Sequence, residues 1–263
     1  ASHRFDARWD NVTSLALGDL DRDGDLDIVA GSGRRLFAPG GFFLGGQDVV
    51  YLNDGRASFG GSTFGHRSES DNNPRFCSEA PDQLRCFGSG TDDTQALALA
   101  DINGDGDLDI AAGAWGQSAL FVNDGAGNFA EGRPLGADSE ATTALSAGDL
   151  DGDGDLDLVA GRGQAAPTLV YSNDGTGVFT ARSVDMSGAS TSVVALGALN
   201  SDGVLDLVAA YNGGPSAVFL SGTRAALRPL NQLPSIRLEQ PGATASAPGL
   251  SSAAILSTAT ITV

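Results

Sequence analysis

The sequence has few basic residues, few aromatics, two histidines and two cysteines, and each shortage narrows what the protein does. Lys and Arg total 15 against 33 Asp and Glu, a formal charge of −18. A surface this acidic repels a phosphate backbone, so nucleic acid is not an expected partner. The histidines, His3 and His66, sit in no recognisable catalytic arrangement, and an enzyme is not expected. Cys77 and Cys86 stand close together in a polar stretch without a histidine partner, too few ligands for a zinc site. The pair reads as a local disulfide formed in an oxidising compartment; the alternative is two unrelated reduced thiols. No apolar run approaches the ~20 residues needed to cross a bilayer, so no membrane span is expected. No signal peptide is visible either, which fits a mature or trimmed product.

Glycine, by contrast, is plentiful at 37 residues, and leucine and β-branched residues come in short bursts. That pattern suits many short strands joined by tight turns. Four segments align without gaps: Leu15 to Gly31 (LALGDLDRDGDLDIVAG), Leu97 to Gly113 (LALADINGDGDLDIAAG), Leu145 to Gly161 (LSAGDLDGDGDLDLVAG) and Val194 to Ala210 (VALGALNSDGVLDLVAA). Equivalent positions at Asp19, Asp101, Asp149 and Ala198 are 82, 48 and 49 residues apart. The unit is therefore near 48 residues, and the first copy carries an insertion, placed at about residues 60–90.

Each unit opens with an alternating run that puts Leu15 and Leu17 on one face and the small Ala16 and Gly18 on the other. An aspartate loop and an apolar run such as Leu26 to Ala30 follow. A third run, Val49 to Leu52 in the first unit, ends in Asn53-Asp54-Gly55; Asn123-Asp124-Gly125 and Asn173-Asp174-Gly175 repeat it. Asn-Asp-Gly between strand-like runs predicts a hairpin with a primed turn. Fourth strands are expected at Gly127 to Phe129 and Gly177 to Ala181. Four antiparallel strands per unit predict an all-β fold, a β-propeller of four-stranded blades, over a β-solenoid or a string of sandwiches.

The loops carry the chemistry. Asp19, Asp21, Asp23 and Asp27 occupy positions 1, 3, 5 and 9 of a nine-residue turn, where like charges need a cation between them. All-oxygen ligands with a glycine at the bend point to calcium. The expected ligands are those four side chains with the carbonyl of Asp25. They are Asp101, Asn103, Asp105 and Asp109 with the carbonyl of Asp107 in the second loop. In the third they are Asp149, Asp151, Asp153 and Asp157 with the carbonyl of Asp155. An EF-hand is excluded, since its twelfth position needs a glutamate and here holds Ala30, Ala112 and Ala160. The fourth loop keeps Asn200, Asp202 and Asp206 but has Ala198 and Val204 at positions 1 and 7, so weak occupancy or none is expected there. Three Ca²⁺ sites of structural rather than catalytic kind are the prediction.

These segments resemble VCBS/FG-GAP repeats and are similar to the calcium-bearing blades of integrin alpha-chain propellers. The likeness runs over roughly residues 12–230. It implies a cation in the loop joining the first two strands of each blade. It also implies a secreted or cell-surface, extracellular protein, often bacterial, that serves adhesion, sugar binding or assembly. Propellers of the family usually have seven blades and four repeats are visible. A fragment of a longer propeller, closure by the C-terminal segment and completion by a neighbouring subunit all fit.

Residues 1–11 read as the outer strand of a preceding blade, because His3 to Arg8 looks like Val178 to Arg182. Residues 231–263 read as a linker followed by an unpaired strand with Ile255, Ala259, Ile261 and Val263 on one face. That strand opens a next domain, joins a neighbouring molecule or packs on its own propeller. The leading functional reading is a non-enzymatic module for adhesion or surface assembly, with a protein or glycan ligand. A filament subunit self-associating through terminal strands and a carbohydrate-active enzyme scaffold are the alternatives. The insertion is the first binding candidate, because long loops on rigid scaffolds commonly carry function. Trp115, Tyr171 and Tyr211 are candidates for sugar stacking, or for ordinary packing between blades. Asn11-Val12-Thr13 matches a glycosylation acceptor, a pattern that chance also produces.

Overall fold

The computed structural model describes residues 11–33, 35–37, 42–44, 46–56, 83–89, 92–136, 141–184, 188–222 and 225–229. All of them fall within a unit running from Ala1 to Gln232. The described residues contain strands and turns and no helix.

The first blade orders its strands as β1 (Val12–Gly18), β2 (Asp27–Ser32), β5 (Asp48–Tyr51) and β6 (Leu84–Phe87). Between β2 and β5 the chain makes a separate two-stranded ribbon, β3 (Arg35–Phe37) with β4 (Phe42–Leu44). The second blade is β7 (Thr94–Ala100), β8 (Asp109–Ala114), β9 (Ala119–Phe121) and β10 (Arg133–Pro134). The third is β11 (Thr142–Gly148), β12 (Asp157–Arg162), β13 (Leu169–Asn173) and β14 (Phe179–Ser183). The fourth is β15 (Ser190–Gly197), β16 (Asp206–Asn212), β17 (Ala217–Gly222) and β18 (Ala225–Pro229). Every pairing is antiparallel and each loop of aspartates joins a first strand to a second, with Gly18 opposite Asp27 and Gly148 opposite Asp157. This is the all-β, blade-by-blade architecture of a β-propeller.

Three details differ from the sequence expectation. Leu84–Phe87, inside the span assigned to the insertion, is the fourth strand of the first blade, and a second excursion (β3 and β4) precedes it. In the second blade the fourth strand is Arg133–Pro134, while Gly127 to Phe129 contributes only a single bridge between Asn123 and Phe129. Pro134 lacks an amide hydrogen, and an edge strand is where that is tolerated. The Asn-Asp-Gly turns are wider than a two-residue primed hairpin. Positive φ falls at Gly125 (79°) and Gly127 (70°), and the Asp124 amide meets the Asn128 carbonyl at 3.0 Å. The side chains drive the difference: Asn123 Oδ1 accepts from Gly125 N at 3.1 Å, and Asp124 Oδ1 from Ala126 N at 2.9 Å, so the turn is built on Asx geometry.

The core lies between blades. Leu20, Val29, Val50 and Phe87 of the first blade pack with Ile110, Ala112 and Phe121 of the second, and Leu97, Leu99 and Leu108 close the joint. The same positions repeat one blade on, where Ile102, Ala111 and Leu120 meet Leu158, Ala160 and Tyr171. They repeat again where Leu150, Val159 and Val170 meet Val194, Leu207 and Phe219. Small residues on the first strands make room for this. A Cβ on Gly18 would stand 2.8 Å from Leu108 and 2.9 Å from Leu99, and one on Gly148 would stand 2.6 Å from Leu205. A hydroxyl ladder ties each joint: Thr94 donates to Asp48 (2.7 Å), Ser118 to Thr142 (2.9 Å), and Thr168 pairs with Thr191 (2.8 Å).

Candidate metal centres

Each aspartate loop is a chain of Asx turns. In the third, Asp149 Oδ2 accepts from Gly154 N (3.1 Å), Asp151 Oδ1 from Asp153 N (3.3 Å) and Asp153 Oδ1 from Asp155 N (3.0 Å). The first and second loops repeat these bonds through Asp19, Asp21 and Asp23 and through Asp101, Asn103 and Asp105. In the third loop the carboxylates at positions 1, 3 and 5 turn inward together, and in the first those at positions 1, 3 and 9. Glycine at the bend, Gly24 at φ 94° and Gly154 at φ 98°, makes that bend free of strain.

The ninth-position aspartates do something the sequence did not reveal. Asp27 is fully buried and accepts from Leu20 N (2.8 Å) with one oxygen and Asn53 N (2.8 Å) with the other. Asp109 bridges Ile102 N and Asn123 N, and Asp157 bridges Leu150 N and Asn173 N, in the same manner. Each therefore pins the start of its loop to the end of the third strand. Asp206 does so in the fourth blade, joining Leu199 N to Ser221 N. In the second and third blades the Asn of the Asn-Asp-Gly turn adds a bond between blades, since Asn123 Nδ2 donates to the Leu20 carbonyl (2.8 Å) and Asn173 Nδ2 to that of Ile102 (2.7 Å). Only the short range of these bonds in space, over 103 and 71 residues of chain, makes them visible.

The electrostatics separate the loops. Burial pushes the Asp21 and Asp151 carboxyls above the usual range, and the neighbouring Asp23 and Asp153 push them further. Burial likewise raises Asp27, Asp109 and Asp157, against the amides that hold them down. In the second loop Asp105 is instead lowered, first by the Asp107 amide and then by the Asn103 side chain, whose Nδ2 lies 2.8 Å from Asp105 Oδ2.

A cation fits the first and third loops on two observations. Oxygens of Asp19, Asp21 and Asp27 lie within 4.8 Å of one another, as do those of Asp149, Asp151 and Asp153. Asp19 Oδ1 is also buried without a hydrogen-bond partner, an acceptor that a cation would satisfy. Asp25, Asp107 and Asp155 turn their side chains toward the third-strand turn, where a Cβ on Gly125 or Gly175 would stand 2.8 or 2.7 Å from Asp107 or Asp155. That orientation is compatible with a carbonyl, rather than a carboxylate, facing the loop at position 7. In the fourth loop Asn200 and Asp202 keep their Asx bonds (2.8 and 3.0 Å), but Ala198 leaves position 1 without an oxygen. Cys86 lies on β6, no described cysteine is free, and Cys77 falls outside the described residues, as do residues 1–10 and 231–263.

Blades and loops together define an all-β propeller-type array with acidic turns between first and second strands. Residues 101–160 and 149–209 match the FG-GAP-like repeat model, so this stretch carries repeats of that kind. The matched stretch contains the second, third and fourth loops; the first blade joins them by its identical strand register. No curated protein matches the chain. Among solved structures, similarity extends to an Agrocybe aegerita lectin described for specific recognition of non-reducing terminal N-acetylglucosamine. Identity there is 24% and the TM-score 0.47, over 81% of this chain and 50% of that one. The Photorhabdus luminescens Tc holotoxin pore matches at 18% identity and TM-score 0.36, over 83% of this chain and 9% of that one. The V. cholerae biofilm matrix protein Bap1 matches at 14% and 0.37, over 83% and 39%. The chain thus spans half or less of each.

Proposed function

We propose that this protein is a non-enzymatic, calcium-stabilised extracellular β-propeller module for adhesion or surface assembly. The observation that carries the calcium part is the convergence of three carboxylates in the first and third loops, with Asp19 Oδ1 buried and unpartnered among them. The extracellular and adhesive part rests on the FG-GAP-like repeat. Calcium supplies positive charge that lets buried carboxylates stay ionised side by side. The residues that would hold it are Asp19, Asp21, Asp23 and Asp27, their counterparts in the second and third loops, and the carbonyls at position 7. Asp27, Asp109 and Asp157 have a second task, since each also anchors the third strand. Filling a loop therefore stiffens the joint between strands as well as the turn. The fourth loop keeps that anchor through Asp206 and needs no metal for it. A bridge between Cys77 and Cys86 would pin the long excursion of the first blade, and that excursion is the proposed surface for a protein or glycan ligand.

Extracellular modules hold calcium with dissociation constants of roughly 10⁻⁴–10⁻³ M, and tenfold excess over that constant adds about 1.4 kcal/mol per site. A chelator should therefore lower the melting temperature by several degrees, with restoration by calcium and not by magnesium. A melting curve indifferent to chelation would sink the calcium reading. For the ligand, glycan-array binding should vanish when residues 60–81 are replaced by a short linker in a Cys86→Ser background. Retained binding would move the ligand surface elsewhere.

A further inference from the structure

We propose that Arg22 serves as an internal cation for the second loop, making that loop the weakest calcium site of the three and the least dependent on the metal. The inference rests on the calcium reading above and concerns one side chain that crosses between blades. Arg22 is at position 4 of the first loop, where the second and third loops have Gly104 at φ 73° and Gly152 at φ 80°. Its own φ is 62°, a left-handed conformation that costs an ordinary L-residue about 1–2 kcal/mol. A glycine there would avoid that cost, so the side chain has to offset it by what it reaches.

It reaches the next blade. Arg22 Nε lies 2.5 Å from Asp107 Oδ1, and Nη2 donates to the Asp105 carbonyl at 3.1 Å. Gly106 leaves the space, since a Cβ there would stand 2.9 Å from Nη2. Asp107 is buried, at 8% exposure, and its Oδ1 makes no hydrogen bond, while the Arg22 side chain is 54% exposed, so the ion pair sits at the edge of solvent with one partner desolvated. Positions 5 and 7 of the second loop are thus braced by a charge from the first. The second loop is also the one with Asn103 where the others have Asp21 and Asp151. Among the described residues, only the first and third loops bring three carboxylates together. One acid fewer and one guanidinium more give the second loop two units less negative charge to offer a divalent ion. The next joint has no counterpart, because Gly104, at the same position of the second loop, has no side chain to send across to the third.

The test uses the full chain with Arg22→Gln, which keeps a side chain and loses the charge, and Arg22→Gly, which also relieves the backbone. Calcium titration by calorimetry should resolve a weakest site in the wild type. Both variants should tighten it about tenfold, the scale of removing one nearby charge from a partly solvated site. Melting in chelator is the second readout: Arg22→Gln should melt below the wild type, because the internal cation is gone. A weakest constant that stays unchanged or loosens in both variants overturns the inference while leaving calcium binding intact. Absence of calcium heat in the wild type overturns both it and the reading it rests on.

Discussion

At the scale of single residues, the blades use one structural position in two chemically different ways. Ser118 and Thr168 fill the ladder between blades with hydroxyls, but the first blade places Asp48 there, 1% exposed. Burial pushes its carboxyl up to about 7, against the Ser32 amide and the Thr94 hydroxyl that pull it down. A carboxyl whose folded pKa is raised holds its proton more tightly in the folded state. Its stabilising contribution is complete below about pH 4 and is lost as pH rises through about 7. Asp48→Asn keeps the Ser32 bond through its oxygen, lets its Nδ2 donate to the Thr94 hydroxyl in place of the bond accepted from it, and removes the titration. Denaturation in chelator should show the wild type losing stability relative to this variant between about pH 4 and pH 8, by at most about 4 kcal/mol. Parallel curves would refute the assignment. The acidic loops were legible in the sequence because their spacing is local and repeated. Asp48 was not, because its burial depends on Thr94, brought to it by the fold from 46 residues away. Arg22 was not legible either, because its partner Asp105 stands 83 residues further along the chain.

At the scale of strands, the joint between blades has a direction. At the first and third joints, leucines on a first strand and its loop enter the glycine of the blade before; at the middle joint Ala100 and Ala147 stand in those places. Leu99 and Leu108 approach Gly18, and Leu196 and Leu205 approach Gly148. On the first blade the corresponding leucines meet no such glycine among the described residues: Leu15, Leu17 and Leu26 are 55%, 63% and 58% exposed. On the last, Gly197 has nothing within 4 Å of where a Cβ would sit. Gly148→Leu should therefore cost several kcal/mol by overfilling a closed joint, at or above the usual 1–3 kcal/mol for an overpacked core. Gly197→Leu, chemically the same change, should leave the denaturation midpoint nearly unmoved. Equal effects at the two positions would show that the joints are not built this way. The alternation of leucine with small residues was readable from the sequence, and so was the placing of each face. What the pattern lacked was strand pairing at the edges, where Pro134 and the short ribbon β3–β4 follow local chain geometry rather than the repeat.

At the scale of the whole array, the described blades pack in chain order, first strand beside first strand, so protection should follow position in the array. Every residue of β8 and of β12 is buried, whereas β15 is exposed at several positions. Amide hydrogen exchange should be slowest in the second strands of the two middle blades and faster in β1 and β15. Uniform exchange across all four blades would mean that the array opens only as one unit. Four blades, their order and their acidic loops were all legible from the 48-residue period. The bonds that make the array continuous, such as Asn123 to Leu20, were not, because they join residues that no periodicity relates.

The directed joint also bears on how such an array is lengthened. A duplicated cassette spliced between the third and fourth blades would present its leucines to Gly148 and its own glycine to Leu196 and Leu205, so both new seams would copy seams already present. Growth by duplication then requires no change in the flanking blades, and the fourth copy departs furthest from the pattern, with Ala198, Val204 and Ala210 where the other three have Asp, Asp and Gly.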